Sequence, residues 1–286
     1  MSLKRWVSLV VAAALILGIA AVGAGCSQSK DTAGKTATEP FPTIKKIQAK
    51  KELVIGTSGG YMPFEMINKK GQLIGFDIDT GKKIADVLGV AVKWQDMDFD
   101  GLIPALSTGK IDMILAGMTI TPKRALTVNF VQPGYFLTGQ VVMYNKQKNP
   151  NVTKWQDFDV AGKTIALSMG TTGDLAASDM FKKATLKRFD SSTNAGLEVV
   201  NGRADAMVYD YDWIRLWVKR NPTQLASLND LLTTEHLGVA IAPGQPDLLQ
   251  WLNTFMYNYV GSQEYNTKLK YWFTDMPWWN DVEQKK

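Results

Sequence analysis

Two stretches of this chain run through the same order of elements, and that repetition constrains the fold more than any single motif does. In the first, residues 53–57 form a short apolar run that ends in Ser58, Gly59 and Gly60, the pattern of a buried strand followed by a turn. Ile78, Ile84, Ala85 and Leu88 then share one face at helical spacing, with Asp77 or Asp79 placed to cap the start and Gly89 to end it. Val90, Val92 and Trp94 alternate as a strand, Leu102, Ile103 and Leu106 mark a helix closing at Gly109, and 111–115 supplies a third strand. Strand, helix, strand, helix, strand implies parallel strands with crossover helices.

Gly162 opens the second copy: strand 164–167, helix 174–184, strand 185–189, helix 193–201 ended by Gly202, and strand 204–209. The copies share a phrase, Gly109-Lys110-Ile111-Asp112-Met113 against Gly202-Arg203-Ala204-Asp205-Ala206. The remaining segment, 238–286, offers one short strand at 238–241 and a helical stripe of Leu248, Leu252, Phe255, Met256 and Tyr259, too little for a third lobe. It is expected to pack back onto the first, with the Trp-rich end (Trp272, Trp278, Trp279) against that lobe. The sequence therefore predicts an α/β protein of two lobes, each a mostly parallel sheet flanked by helices. Lobe 1 is expected to comprise 44–139 plus 236–286 and lobe 2 to comprise 140–235. Two crossings, near 139–142 and 233–236, make a hinge with a cleft between the lobes.

Composition narrows the chemistry available in that cleft. One Cys and one His in 286 residues exclude Cys/His zinc sites, iron–sulfur clusters and intramolecular disulfides, so no metal or cofactor is expected. The net charge of +5 includes Lys4 and Arg5 and is too dilute to argue for nucleic acid. Those two cations precede an apolar run, 6–22, and the small residues Gly23, Ala24 and Gly25, which reads as an export signal ending at Cys26. The arrangement resembles a bacterial lipoprotein signal, with Cys26 lipidated and polar 27–43 as a flexible tether, although Gly23 stands where a lipobox usually has Leu. An exported, membrane-anchored protein follows.

In open α/β sheets, ligands bind beyond the carboxyl ends of the strands. The segments there are Ser58 to Phe64, Gly117 to Arg124, Gly170 to Asp174, and Asp210. Arg124 offers a planar fork for a carboxylate, and the hydroxyls of Thr119, Thr121, Thr171 and Thr172, with N–H groups at a helix start, donate to the same anion. Asp210 accepts from an ammonium. Together they suit a zwitterion, whose two charges must both be paired once desolvated. Tyr61 and Phe99 can wall its side chain. The single His236 falls near the second crossing, where it reads as a hinge or surface residue.

Tyr61-Met62-Pro63-Phe64-Glu65, Gly75-Phe76-Asp77-Ile78-Asp79, Gly101-Leu102-Ile103-Pro104-Ala105-Leu106, Met118-Thr119-Ile120-Thr121-Pro122-Lys123-Arg124, Gly170-Thr171-Thr172 and Gly202-Arg203-Ala204-Asp205-Ala206 occur in that order. The set resembles the family 3 extracellular solute-binding proteins, the polar amino-acid receptors of ABC importers. The resemblance implies a hinged fold that closes on a free L-amino acid and hands it to ABC permease subunits in the membrane. Carried over by motif, Tyr61 and Phe99 flank the side chain, and Gly117, Thr119 and Arg124 hold the α-carboxylate. Thr171 or Thr172 joins from the second lobe, and Asp210 takes the α-ammonium. Receptors of this family for basic amino acids and glutamine usually carry an Asp three residues before the aromatic, where this chain has Ser58. That favours a neutral or polar amino acid, with Asp98 and Asp212 as the substitute counter-ions for a basic one. The alternative is an exported lyase resembling the cyclohexadienyl dehydratases of the same fold, with Asp174 the only carboxylate in the corresponding loop.

Overall fold

The computed structural model describes residues 41–282. The expected export signal, Cys26 and the tether up to residue 40 lie outside the described residues. The end of the expected tether is corrected: Pro42, a favourable first helical residue, starts helix α1 (Pro42–Lys50). Ile44 and Ile47 are buried there, and the Thr43 and Ile44 N–H groups donate to one Asp247 oxygen at 2.8 and 3.0 Å.

Strand β1 (Glu52–Thr57) leads through the hairpin β2 (Met66–Ile67) and β3 (Leu73–Ile74) to α2 (Phe76–Leu88), β4 (Ala91–Asp96), α3 (Leu102–Ser107), β5 (Met113–Ile114), α4 (Pro122–Ala125) and β6 (Asn129–Phe130). After β7 (Phe136–Thr138) come β8 (Gln140–Asn145), β9 (Thr164–Ser168), α5 (Thr172–Met180), β10 (Thr185–Phe189), α6 (Ser192–Val200), β11 (Ala206–Asp210), α7 (Tyr211–Arg220) and β12 (Leu225–Ser227). The chain returns through β13 (Glu235–Leu237) to β14 (Ala240–Ile241), α8 (Pro246–Tyr259) and α9 (Gln263–Leu269).

Two five-stranded sheets result, ordered β4-β1-β5-β14-β6 and β10-β9-β11-β8-β12. In each, two parallel pairings made by the repeated strand–helix units are completed by two antiparallel ones. The return segment supplies β14 to the first sheet, so the tail joins that lobe. Between the sheets, β7 and β13 pair antiparallel as a two-stranded ribbon. Leu53, Ile55, Ile84 and Leu88 fill one side of the first sheet and Leu102, Leu106, Ile111 and Ile114 the other. Ile165, Leu167, Val208 and Phe158 pack the second, and Trp213 stacks on Trp217 at 4.5 Å along α7. Among the described residues no helix is long and apolar enough to cross a membrane.

Two local expectations are corrected. Neither Asp77 nor Asp79 caps α2; the cap is Gly75 at φ 145°, where a Cβ would meet the Phe64 carbonyl oxygen at 1.9 Å. Both aspartates face inward from the first turn instead: Asp79 accepts from Lys268 and Trp272, and Asp77 is fully buried. The Trp-rich end does not stay on one lobe. Trp272 and Trp278 bury with the first, but the Trp279 ring lies 4.3 Å from the Arg220 guanidinium of α7, which donates to the Trp279 carbonyl.

Candidate functional site

The sequence Thr121-Pro122-Lys123-Arg124 folds as a single capped turn. The Thr121 hydroxyl accepts from the Arg124 N–H at 3.1 Å and Pro122 takes the first helical position, which aims Arg124 inward. Its Nη1 donates to the Thr119 carbonyl at 2.8 Å and its Nη2 to the Gly170 carbonyl of the second lobe at 3.1 Å, and the guanidinium lies 5.3 Å from the Phe99 ring centre. Burial lowers its pKa, against the opposing pull of Glu235 and Asp210.

On the second lobe, Thr171 caps α5. Its hydroxyl accepts from the Asp174 N–H and donates to the Ser168 carbonyl, so its contribution is to fix the helix start, while Thr172 presents its own hydroxyl. Asp210 ends β11 directly opposite Gln140 in the antiparallel register, and Gln140 Nε2 donates to its Oδ1 at 3.1 Å. Burial, then the negative charge of Glu235, pushes the Asp210 carboxyl well above its ordinary value.

Glu235, on the ribbon, draws these parts together. The backbone of 118–120 pairs with 236–238, which brings Thr119 to β13. The Thr119 and Thr172 hydroxyls then donate to the same Glu235 oxygen at 2.8 and 2.6 Å, from opposite lobes, and Thr233 donates to the other at 2.6 Å.

The far wall is aromatic. Tyr61 stacks on Phe64 at 4.6 Å and meets Tyr209 edge-on at 5.5 Å. Its ring lies against the Gly117 backbone, where a Cβ would approach it to 2.1 Å and where φ is +56°. Asp77 Oδ2 accepts from the Gly117 N–H at 2.8 Å and the Tyr135 hydroxyl at 2.7 Å, so the inward acid of α2 holds this loop.

All eight residues singled out from the sequence (Tyr61, Phe99, Gly117, Thr119, Arg124, Thr171, Thr172 and Asp210) line one cavity of about 470 Å³, mouth included. Arg124 and Asp210 enter it from different lobes, both buried and not paired with each other. Asp98, Asp212 and Asp174 do not line it. Asp174 pairs with Arg188 at 2.9 Å and accepts from the Gly170 N–H, a helix-start role that leaves no acid for a lyase in this loop. Sequence reasoning missed Glu65, Tyr209, Gln140 and Glu235. Glu65 was visible as the end of the Tyr61 phrase, whereas Gln140 and Glu235 carried no local signal.

The same order of elements recurs in known proteins. The model of the bacterial extracellular solute-binding proteins, family 3, matches residues 53–275. The chain belongs to that family. A putative ABC transporter arginine-binding protein 2 of Escherichia coli (strain K12) is 30% identical over 230 residues, 79% of this chain and 92% of that one. A solved putative ABC transporter binding component from Wolinella succinogenes, complexed with lysine, is 38% identical with a TM-score of 0.76, covering 81% of this chain and 99% of that chain. An ancestral arginine-binding protein bound to glutamine is 34% identical with a TM-score of 0.73, covering 78% and 98%. As a family 3 solute-binding protein the molecule is an extracytoplasmic receptor and not an enzyme, and its two-lobed α/β architecture is that of the solved relatives.

Proposed function

We propose that this receptor captures a free L-amino acid between its lobes and delivers it to the permease of an ABC importer. One observation carries the reading: a buried cation and a buried anion, each rooted in a different lobe, face one small cavity without neutralising each other. Arg124 takes the α-carboxylate and Asp210 the α-ammonium, since a zwitterion leaves water only if both ends are paired. Thr119 and Gly117 complete the first-lobe side, Thr172 and the N–H groups ordered by Thr171 the second, and Tyr61 and Phe99 flank the side chain.

The unliganded protein exchanges between open and closed forms about the ribbon, lobe 1 being 44–139 plus 236–286 and lobe 2 140–235. The ligand favours closure because only the closed form offers both sets of contacts. Export, lipidation of Cys26 and a tether up to residue 40 place the receptor at the outer face of the membrane beside its permease. A thermal-shift screen of the common L-amino acids tests the reading: at least one raises the melting temperature, confirmed by calorimetry at one site per chain. A flat response to all of them contradicts it. Loss of membrane association in Cys26→Ala, with binding intact, tests the anchor separately.

A further inference from the structure

The turn that follows β1 is held from the second lobe by groups that no ligand contact requires. Trp213 Nε1, on α7, donates to the Gly60 carbonyl at 2.9 Å, and the Ser192 hydroxyl, at the start of α6, donates to the same oxygen at 3.4 Å. Trp213 is fully buried and does not line the cavity. Its ring is flanked by Tyr209, edge-on at 5.0 Å, and Trp217, stacked at 4.5 Å, so its indole N–H is held in one direction. The lobes meet closely there: a Cβ on Gly60 would stand 3.2 Å from Thr193 Oγ1 of α6.

Farther along α7 the seam continues. Arg215 donates to the Phe273 carbonyl, and Arg220 donates to the carbonyls of Trp279 and Val282 in the C-terminal segment. At Gly60 the acceptor belongs to a turn of the first lobe and the donor to a helix of the second. When the lobes part, the indole N–H and the carbonyl lose each other and meet water. Closure exchanges those waters for a direct bond in a buried place, which favours the closed form whatever lies in the cavity. One neutral bond does not hold the lobes shut by itself, so the unliganded chain remains mostly open.

We propose that Trp213 is a positioning residue for ligand capture, an interlobe latch on the Gly60 carbonyl that adds a fixed, ligand-independent contribution to closure and so sets how long the bound molecule stays. The inference rests on the reading of closure around an amino acid and extends it. The ligand enters the open form, in which the latch is undone, so association does not feel it. Escape requires the lobes to part, which breaks it. Apparent affinity scales with the fraction of chains that reach the closed form unaided, so the latch tightens every ligand by one common factor.

Trp213→Phe keeps an aromatic ring between Tyr209 and Trp217 and removes the N–H. Stopped-flow kinetics and calorimetry on the full chain use each common L-amino acid that raises the melting temperature of wild type. The variant is expected to release its ligand about three- to tenfold faster with association unchanged, and to weaken every ligand by the same ratio. Unchanged release, a loss carried by association, or a ratio that differs between ligands overturns the latch while leaving the amino-acid reading in place. Wild type binding no amino acid overturns both. Where the variant does not fold, wild type labelled with nitrogen-15 tryptophan serves: the Trp213 indole N–H is expected to exchange with solvent more slowly once an amino acid is bound. Equal exchange in the free and bound protein refutes the latch.

Discussion

The Nη2 of Arg124 stands 3.1 Å from the Gly170 carbonyl oxygen, so a guanidinium rooted in the first lobe is bonded to the loop that opens α5 in the second. On the proposed reading a planar fork in that position meets both an incoming carboxylate and the opposite lobe, which a flexible ammonium does not reproduce. Arg124→Ala is expected to weaken amino-acid binding by about 3 kcal/mol or more, because it strands a buried carboxylate. Arg124→Lys keeps the charge, loses the two-point geometry and falls between. Calorimetric affinities for the two variants and wild type check the order, and an alanine variant binding as wild type does removes Arg124 from the site.

Glu235 offers one oxygen to hydroxyls from both lobes. Replacing it with Gln turns one acceptor into a donor among donors, so Glu235→Gln is expected to weaken binding by about 1–3 kcal/mol with little effect on the fold of either lobe. A second effect follows from charge. Glu235 helps hold the Asp210 carboxyl above its ordinary value, and Asp210 must be ionised to accept an ammonium. Affinity in wild type therefore rises with pH until Asp210 has lost its proton, and in Glu235→Gln that rise moves to lower pH. Dissociation constants measured across the acidic range for both proteins test this; superimposable pH profiles refute the coupling.

The sequence carried the lining of the cavity better than the residues that support it, for a physical reason. Arg124, Asp210, Thr119 and the Thr171–Thr172 pair follow strand ends, where an alternating αβ pattern already dictates which loops converge. Gln140 and Glu235 reach the lining residues Asp210, Thr119 and Thr172 only through antiparallel pairings, and no local periodicity announces a pairing such as Asp210 with Gln140 or Thr119 with Leu237. Asp77 misled because an acid in a first helical turn is ordinarily a cap. Here Gly75, forced by the nearby Phe64 carbonyl, occupies the cap and turns Asp77 toward Gly117.

Gly117 is fixed by two demands at once. A side chain at φ +56° is strained, and a Cβ would sit 2.1 Å from the Tyr61 ring. Gly117→Ala is expected to lower stability by about 2–4 kcal/mol, combining left-handed strain with overpacking. It also displaces Tyr61 from the cavity wall, so ligand affinity falls even at temperatures where the variant is fully folded. Urea unfolding and calorimetry report the two effects separately. Unchanged affinity in the folded variant excludes Tyr61 as a wall for the side chain.

Asp77 makes the stability of the protein depend on pH in an unusual sense. Burial raises its carboxyl from 3.8 to about 6, so between those values the folded protein keeps a proton that the unfolded chain has released. Its stabilising contribution is complete below the unfolded value and is lost as pH rises through about 6, a difference of roughly 3 kcal/mol for a shift of this size. Asp157, Asp159 and Asp205 are shifted the other way by their hydrogen bonds and oppose the trend, so the total curve does not isolate it. The difference between wild type and Asp77→Asn removes those contributions and reports Asp77 together with the part of the upward Glu65 shift that the neighbouring Asp77 causes. The amide keeps an acceptor for the Gly117 N–H but has no proton to lose, so the variant is expected to gain on wild type steadily from about pH 4 to 7. Urea unfolding at intervals over that range measures the gap; a gap that stays constant means Asp77 titrates in the folded protein as it does in the unfolded chain.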